Sequence, residues 1–306
     1  MKWSICLVFL VFSLGVQGQE YSWWNEKHDW DGHTHWSDYI IISPGFLGPN
    51  ALPVPEETDG LVKPDSHLEI AYDQHISNGD RTKNLYSEIH LSLFDGRLGF
   101  DISMVPVEFY DMDTVTRDLR RARDRDGEGS SLGDVYIGTN IQLLREKAVW
   151  PDVLLSVNIK TASGSKLSAA RHADAPAYYF DFSVGKTFDL DHLWFQSLRP
   201  YGLLGFYAWQ VNRTDYFQND AILYGLGLKA RFPFLVLNQY FGGYSGYIGN
   251  GDRPMVYRAE LYTQRDASIN YTFRYQEGLR DYEYTSLRFG IALNLDFLFG
   301  EGDKSK

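Results

Sequence analysis

Three polar side chains around the end of the first strand-like segment are of the types that nucleophilic catalysis uses. His75, Ser77 and Asn84 lie within ten positions of one another. A serine hydroxyl becomes a nucleophile when a histidine takes its proton and a third group orients that histidine. The spacing therefore permits a hydrolase hypothesis. Because Asn78-Gly79 is also an ordinary hairpin turn, a polar turn is the simpler interpretation.

Histidines and carboxylates are dense in residues 25–36, which read NEKHDWDGHTHW. Imidazole and carboxylate groups bind Zn²⁺, so His28, His33 and His35 are candidate metal ligands. Their spacing matches no fixed metal-binding frame, and four tryptophans in and beside the stretch indicate a segment that docks on another surface. Docking is the favoured interpretation, with metal binding and disorder as alternatives. No cofactor is predicted.

A third set consists of charged residues at alternate positions of strand-like segments. The early segments carry mainly acids and the late segments mainly bases, diluted by Glu260 and Asp296. If the sheet closes into a barrel, the two groups face the same lumen. They would then either pair with each other and close the lumen, or leave a narrow water-filled passage whose transverse electric field orients polar solutes. The predicted lumen and solute-binding residues are Glu69, Asp73, Glu88, Asp101, Lys160, Lys229, Arg231, Arg258, Arg274 and Arg288.

The composition argues against several classes of protein. The 306 residues carry a net charge of −11 with no basic block, which argues against a nucleic-acid partner. A hydrophobic content of 44% is too high for a disordered chain. The mean hydropathy of −0.33 excludes a bundle of membrane-spanning helices. The aromatic content of 16% favours β-sheet.

Residues 1–18 are typical of an export signal. Lys2 is followed by a short apolar run and by small residues before Gln19, where cleavage is expected. The single cysteine, Cys6, would leave with the signal, so the exported chain would use no disulfide. Loss of Lys2 leaves 28 Lys and Arg against 40 Asp and Glu, a net charge of −12.

The rest of the chain alternates apolar and polar residues with a period of two, which predicts strands. Residues 285–299 are the clearest case, with Leu287, Phe289, Ile291 and Leu293 on one face and Arg288 on the other. Short turns alternate with long polar loops along the chain, as in an outer-membrane barrel. Twelve strands are predicted, at 67–76, 82–94, 97–110, 133–146, 151–161, 177–187, 199–210, 220–232, 234–245, 254–264, 267–276 and 284–299.

The face that carries the charges distinguishes two kinds of β-protein. A soluble sandwich would have to bury these Lys, Arg, Asp and Glu side chains in its core, at a high desolvation cost, whereas a membrane barrel keeps them in a polar lumen. We therefore predict an all-β, transmembrane, antiparallel up-and-down barrel, with a secreted sandwich as the alternative. Aromatic residues near the strand ends predict two interfacial girdles: Phe94, Trp150, Phe188, Trp194, Tyr201, Phe232, Phe297 and Phe299 at the turns, and Phe109, Tyr110, Tyr178, Trp209, Tyr247, Tyr275 and Tyr284 at the loops.

Residues 133–164 and 178–188 resemble a family of bacterial outer-membrane barrels named for the phenol meta-degradation pathway. The shared pattern is a G-D-x-x-(I/L)-G-x-x-x-x-L strand, here Gly133 to Leu143, and a following strand that ends in K-x-x-x-G, here Lys160 to Gly164. The resemblance covers about 55 residues. It implies a barrel and a candidate transporter, and it brings no catalytic residues.

The string H-x-S-N-G at residues 75–79 is similar to one in outer-membrane phospholipase barrels. A lipid hydrolase needs its nucleophile to face lipid, whereas the alternation places His75 and Ser77 on the lumen face. The hydrolase therefore remains the less favoured alternative, and we predict that the chain is not an enzyme.

The predicted domains are the signal (1–18), a periplasmic N-terminal segment (19–66), the barrel (67–299) and a periplasmic C-terminal tail (300–306). Residues 44–60 are rich in Pro and Gly and predict an extended linker. Because an even strand number puts both barrel ends on the short-turn side, the N-terminal segment is expected there. It could lie under the barrel or enter it as a plug.

Residues 111–128 form a long charged loop in which local ion pairs are the simplest expectation. Arg117, Arg120, Arg121, Arg123 and Arg125 could instead contact lipopolysaccharide phosphates. The expected partners are outer-membrane lipid and lipopolysaccharide, the barrel-assembly machinery and a small solute. The predicted function is passive, porin-like passage of a small polar or aromatic solute across the cell outer membrane, with a structural barrel as a further alternative.

Overall fold

The computed structural model describes residues 21–263 and 268–295, which belong to two compact units. The first unit ends at Thr34 and contains one helix, α1 (Ser22–Lys27). The second begins at His35 and contains every strand of the described residues. The predicted signal and the C-terminal tail lie outside the described residues, as do Asp296, Phe297 and Phe299. No helix of the described ranges is long and apolar enough to cross a membrane.

Twelve of the strands form one closed antiparallel barrel. Neighbours in the chain pair with each other, and the last strand pairs with the first from Asn294 opposite His67 to Thr285 opposite Ile76. The fold-class prediction is therefore confirmed. The barrel strands are β1 (His67–Ser77), β2 (Asp80–Leu93), β3 (Leu98–Met112), β5 (Val135–Leu144), β6 (Asp152–Lys160), β7 (Ala177–Gly185), β9 (Phe195–Gln210), β10 (Gln218–Arg231), β11 (Leu235–Gly246), β12 (Met255–Thr263), β13 (Ile269–Arg280) and β14 (Thr285–Asn294).

Two further strands extend the barrel wall, and the sequence pattern predicts neither. Strand β4 (Glu128–Ser131) pairs with the end of β3, and β8 (Phe188–His192) forms a hairpin with the start of β9. The loop between β3 and β4 also contains helix α2 (Thr114–Leu119). Asp113 caps this helix by accepting a hydrogen bond from the Thr116 N–H at 2.7 Å, which lowers the pKa of Asp113.

Side chains along the strands point alternately to an apolar outer face of the barrel and to a polar inner face. In β7, Phe180 and Phe182 are exposed on the outer surface, whereas Asp181 and Ser183 are buried on the inner side. An apolar outer face with a polar lumen is the arrangement of barrels that sit in membranes.

The predicted girdles are only partly correct. Phe94, Trp150 and Trp194 at the turns and Phe109 and Tyr247 at the loops are exposed on the barrel exterior. Four other predicted members are buried inside instead, because their positions have the inward parity of their strands or lie in a loop that folds over the lumen. These four are Tyr110, Tyr201, Trp209 and Tyr284.

Residues 35–66, here called the lumen segment, run through the barrel from one rim to the other. Near the long-loop rim, the Trp209 indole donates to the Ile42 carbonyl at 3.1 Å and the Gly48 N–H donates to the Ala170 carbonyl at 2.8 Å. Near the short-turn rim, the Val62 N–H bonds the Gln142 side chain at 3.0 Å. His67 then begins β1 at that rim.

The sequence leaves open whether the segment lies under the barrel or enters it as a plug. In the structure it enters the lumen and passes through it to reach the start of β1 at the short-turn rim. The physical reason is the wall itself. Its inward face offers aromatic rings at one end and charged groups at the other, and the lumen segment has apolar residues before position 55 and charged residues after it.

The long-loop half of the lumen holds the hydrophobic core. Apolar residues of the lumen segment pack against inward-facing aromatic side chains, and the Tyr244 hydroxyl donates to the Leu52 carbonyl at 2.8 Å. This half is therefore filled rather than open. The segment contributes Ile40, Ile42, Leu47, Ala51, Leu52 and Val54, and the wall contributes Tyr179, Tyr207, Trp209, Tyr240, Tyr244 and Val256.

Candidate functional site

The candidate site is the short-turn half of the lumen, where the barrel encloses a cavity of about 550 Å³. We call this cavity the vestibule. The lumen segment from Glu56 to Asp65 forms part of its lining, and the strand walls form the rest. Charged side chains from both sources face the vestibule, so it is suited to a polar solute rather than to an apolar one.

One wall of the vestibule is basic. We call Arg199, Lys229, Arg258, Arg274 and Arg288 the basic arc; they come from β9, β10, β12, β13 and β14. All but Arg258 line the vestibule, and Arg258 lines a smaller cavity that shares Glu56, Arg274 and Arg288 with it. The sequence analysis predicts four of them as lumen residues and misses Arg199, because the alternation of β9 is mixed. Arg199 bonds Asp152 at 2.9 Å. Arg231 also lines the vestibule as predicted; it is exposed there and makes no ion pair within the described residues.

The inner face of the early strands is an acidic wall; Glu69 and Glu88 of this wall line the vestibule, and Asp73, Glu88 and Asp101 have defined partners. Arg288 on β14 donates two hydrogen bonds to the Asp73 carboxylate on the neighbouring strand β1, at 2.7 and 2.9 Å. Glu88 pairs with Lys63 of the lumen segment at 2.7 Å. Asp101 contacts His90 at 2.6 Å. These pairs hold much of the acidic wall in place.

Glu69 is the fourth predicted acid, and it lacks a cation within 4 Å among the described residues. It lies opposite Glu88 in the β1–β2 register and accepts a hydrogen bond from the Thr272 hydroxyl at 3.2 Å. It also lines the vestibule. Glu69 and Arg231 are therefore charged groups that the pairing of the two walls does not use.

Lys160 has an inward position as predicted but does not face the vestibule. It lies at the long-loop end of β6, where it pairs with Asp134 at 2.7 Å and donates to the Ala175 carbonyl at 2.8 Å. Both charged side chains are fully buried. A lysine enclosed in this way is a structural group, so its assignment as a solute contact is corrected.

The lumen segment supplies three carboxylates that the sequence analysis does not single out. Glu56, Glu57 and Asp59 belong to the stretch predicted as a linker, and each contacts the basic arc. Glu56 pairs with Arg274 at 2.7 Å and lies 3.6 Å from Arg288 and 4.0 Å from Arg258. Asp59 pairs with Lys229 and lies 3.6 Å from Arg199.

A second buried charge cluster closes the long-loop rim. Arg171 donates to Asp80 at 2.6 Å and to Glu108 at 2.8 Å, and all three side chains are fully buried. Arg120 also donates to Asp80, at 2.6 Å, and to the Tyr284 hydroxyl at 2.7 Å. Arg120 is therefore occupied inside the barrel and is not one of the arginines that could reach lipopolysaccharide.

The residues of the hydrolase hypothesis do not form the predicted constellation. His75 is buried in the lumen, with one ring nitrogen 2.7 Å from the Ser286 hydroxyl and the other 3.0 Å from the Asn84 side-chain oxygen. Ser77 instead donates to the Asp80 carbonyl, at 3.4 Å, beside the turn. Asn84 also donates to Asp73 at 3.0 Å. His75 and Asn84 thus belong to the polar lumen network, and Ser77 belongs to the turn.

The candidate metal ligands divide between the two units, with His28 and His33 in the first and His35 in the second. The described residues contain no group of three or more His, Cys, Asp or Glu that could hold a metal ion. Asp31 instead accepts hydrogen bonds from the Thr34 hydroxyl and from the N–H groups of Thr34 and His33. The Thr34 hydroxyl leads these contacts in lowering the pKa of Asp31 to about 2.

Comparison with known proteins gives similarity of fold. No family model and no curated protein matches the chain. The chain is similar to an outer membrane channel from Pseudomonas putida F1, with 13% identity, 78% of this chain and 99% of that chain covered, and a TM-score of 0.49. It is also similar to the NanC porin, with 10% identity, coverage of 74% and 99%, and a TM-score of 0.47.

A third similar structure is the KdgM porin in complex with disordered oligogalacturonate, with 10% identity, coverage of 74% and 98%, and a TM-score of 0.45. At these identities the likeness concerns fold alone. The barrel assignment rests on the strand pairing of this chain itself, and the phenol meta-degradation resemblance stays a prediction.

Proposed function

We propose that this chain is an outer-membrane channel for a small polar solute and that the lumen segment is its plug. The observation that carries the proposal is a charged vestibule of about 550 Å³ inside a closed barrel whose outer face is apolar. A barrel that only anchored itself in a membrane would need the apolar exterior but not a charged cavity.

The exterior supports a location in a membrane. Ile70, Leu226, Phe273, Phe289 and many similar side chains are exposed on successive strands around the barrel. Soluble proteins rarely expose continuous apolar surface above a few hundred Å². Closed antiparallel barrels with such a surface are the β-structures that span bacterial outer membranes.

The plug role follows from how the lumen segment is held. Its residues before position 55 pack against aromatic rings, whereas its later residues bind the vestibule walls through ion pairs and hydrogen bonds. With the segment in this position the long-loop half is filled, so conduction requires part of the segment to move. A filled structural barrel is the competing function, and it would conduct in no state.

A reversible covalent lock tests this proposal. The Thr58 hydroxyl and an Asp181 carboxylate oxygen lie 2.8 Å apart, so these two neighbouring positions are chosen for a cysteine pair that links segment and wall. The only natural cysteine, Cys6, lies in the predicted signal. We expect the doubly substituted protein, Thr58→Cys with Asp181→Cys, to conduct in planar bilayers when reduced and to close when oxidised.

The single variant Thr58→Cys is the control and should respond to neither reagent. Absence of conductance from the wild type and from the reduced double variant would overturn the channel and favour the structural barrel. Folding is checked separately by heat-modifiable migration on a gel, and the location by recovery in the outer-membrane fraction. A protein that stays in the soluble fraction without heat-modifiable migration would contradict the membrane barrel.

A further inference from the structure

The three acids of the lumen segment occupy the basic arc in the way that a carboxylate solute would. Arg258 bonds a Glu57 carboxylate oxygen at 2.9 Å, and the Asn238 amide bonds the other oxygen at 2.8 Å. Arg274 bonds Glu56 at 2.7 Å. These are charge-assisted hydrogen bonds between fixed wall groups and carboxylates that belong to a different part of the chain.

Asp59 continues this pattern towards the short-turn rim. Its carboxylate pairs with Lys229, and one of its oxygens lies 3.6 Å from Arg199. The Arg199 guanidinium also bonds the Asp59 carbonyl at 2.8 Å. Three carboxylates within four residues are thus spread over cations from several neighbouring strands, in the vestibule that we propose as the solute path.

Two members of the basic arc depend on the lumen segment for their countercharge. Arg199, Arg274 and Arg288 each pair with a wall carboxylate, namely Asp152, Glu260 and Asp73. For Arg258 and Lys229, the carboxylates within 4 Å among the described residues all belong to the segment. If residues 56–59 moved away, these two cations would need another anion, because an enclosed charge without a partner is costly.

We propose that the basic arc is a binding site for small polycarboxylate solutes and that residues 56–59 are an internal competitor for it. This inference rests on the proposed channel function and names its solute class. A polycarboxylate would displace residues 56–59 from Arg258, Lys229 and Asn238, while the apolar contacts of residues 40–54 keep the segment attached. Arg231, exposed and unpaired beside the arc, gives an entering anion a further contact.

An internal competitor predicts a specific effect on affinity. The solute binds only the molecules from which residues 56–59 have moved away. Its apparent dissociation constant is therefore the intrinsic dissociation constant divided by the fraction of such molecules. Weakening the competitor should therefore tighten solute binding without any change to the wall. A merely structural role of the three acids predicts no such gain.

Citrate is the probe, and its binding to full-length protein in detergent is measured by calorimetry at low salt, with glycerol as the neutral comparison. Glu57→Gln combined with Asp59→Asn should bind citrate roughly tenfold or more tightly than the wild type. Adding Arg258→Gln to this variant should weaken binding roughly tenfold, because a charge-assisted contact is lost. Glycerol should bind none of them.

The matched control is Asp215→Asn with Glu283→Gln, which removes two exposed loop charges outside the vestibule. It should bind citrate as the wild type does. An equal gain in the control would mean that net charge, not the competitor, governs binding, and would overturn the inference. Heat-modifiable migration shows that each variant has folded.

A measurement on the wild type gives a second test that needs no variant. Saturating citrate should raise hydrogen exchange in peptides that cover residues 56–62, and glycerol should not. Conductance with no citrate binding in any variant and no citrate-induced exchange would overturn the polycarboxylate site and leave the channel intact. Citrate binding at the arc without conductance in any variant would support the site and overturn the channel.

Discussion

Arg258 is the residue whose loss should release the lumen segment most directly. Its guanidinium donates to Glu57 at 2.9 Å and to the carbonyls of Val54 and Pro55 at 2.6 and 2.8 Å. Its Nε also donates to the Gln276 side-chain oxygen at 2.6 Å, which fixes the position of the guanidinium group. The substitution Arg258→Gln keeps a polar side chain but removes the charge and most of this reach.

The expected loss of docking free energy follows from the buried groups that the substitution leaves without their arginine partner. Glu57 is nearly buried and would keep only the Asn238 amide, and two backbone carbonyls would lose their donor. Removing one partner of an enclosed ion pair costs about 3–5 kcal/mol. Because glutamine retains part of the hydrogen bonding, we take about 3 kcal/mol for the lost docking free energy, a factor of roughly 10² in the released population.

Hydrogen exchange of the segment's backbone amides measures that population. The Gly60 N–H bonds the Ser183 hydroxyl at 3.1 Å and the Val62 N–H bonds Gln142 at 3.0 Å, so both amides report docking. In Arg258→Gln their exchange should accelerate roughly 10²-fold, while amides within β10 and β11 stay protected.

Arg280→Gln is the matched control, since Arg280 lies at the long-loop end of β13 with a side chain 55% exposed. It should leave segment exchange unchanged. If Arg258→Gln changes segment exchange by less than about threefold, the three guanidinium contacts do not hold the segment and the reasoning fails. Equal acceleration in both variants would also refute it.

Three further predictions concern docking and the long-loop rim. Because ion pairs with the basic arc stabilise the ionised forms of Glu56 and Asp59, docking should be constant above about pH 5 and weaken as protonation removes these charges at lower pH, which conductance at stepped pH would show; release only at alkaline pH would contradict it. Arg171→Met should destabilise the barrel by about 3–5 kcal/mol, since it removes the cation that two buried carboxylates share, whereas His172→Phe should leave the melting temperature nearly unchanged, because burial lowers the pKa of His172 and neither of its ring nitrogens makes a hydrogen bond within the described residues; thermal unfolding compares the two. Gly185→Ala should open the channel, because its Cβ would lie 2.2 Å from the Asp59 carbonyl oxygen; unchanged conductance and segment exchange would contradict that close approach.

The barrel could be predicted from the sequence because its signal is local and repeated. Each strand marks its outer face by apolar residues at every second position, as at Phe289 and Ile291, and the inner face follows by parity. The same parity places Asp73, Glu88, Arg274 and Arg288 inside. Alternation cannot tell how far a charge lies from the solute path, which is why it places Lys160 in the lumen without showing that Lys160 is buried in an ion pair with Asp134.

Position near a strand end does not decide which face a residue occupies. Tyr201 and Trp209 lie near opposite ends of the predicted strand 199–210, where a girdle is expected, but both have inward parity and are buried; β9 also begins earlier, at Phe195, so Tyr201 lies near its middle. The lumen segment was missed as part of the site for a different reason. Its prolines and glycines are typical of a linker, and no periodicity marks a stretch in which Glu57 and Asp59 find their partners, Arg258 and Lys229, more than a hundred residues away in the chain.

The charges of the barrel wall explain why plug and proposed solute share one chemistry. The late strands place Arg258 and Lys229 in the lumen without wall carboxylates of their own, so these cations require an anion from elsewhere. Glu57 and Asp59 provide it when the channel is closed. Only another anion, such as a carboxylate, can replace them without leaving enclosed cations unpaired, and an uncharged solute would gain nothing by displacing them. Because residues 40–54 stay packed on the aromatic wall, this exchange needs only the charged part of the segment to move.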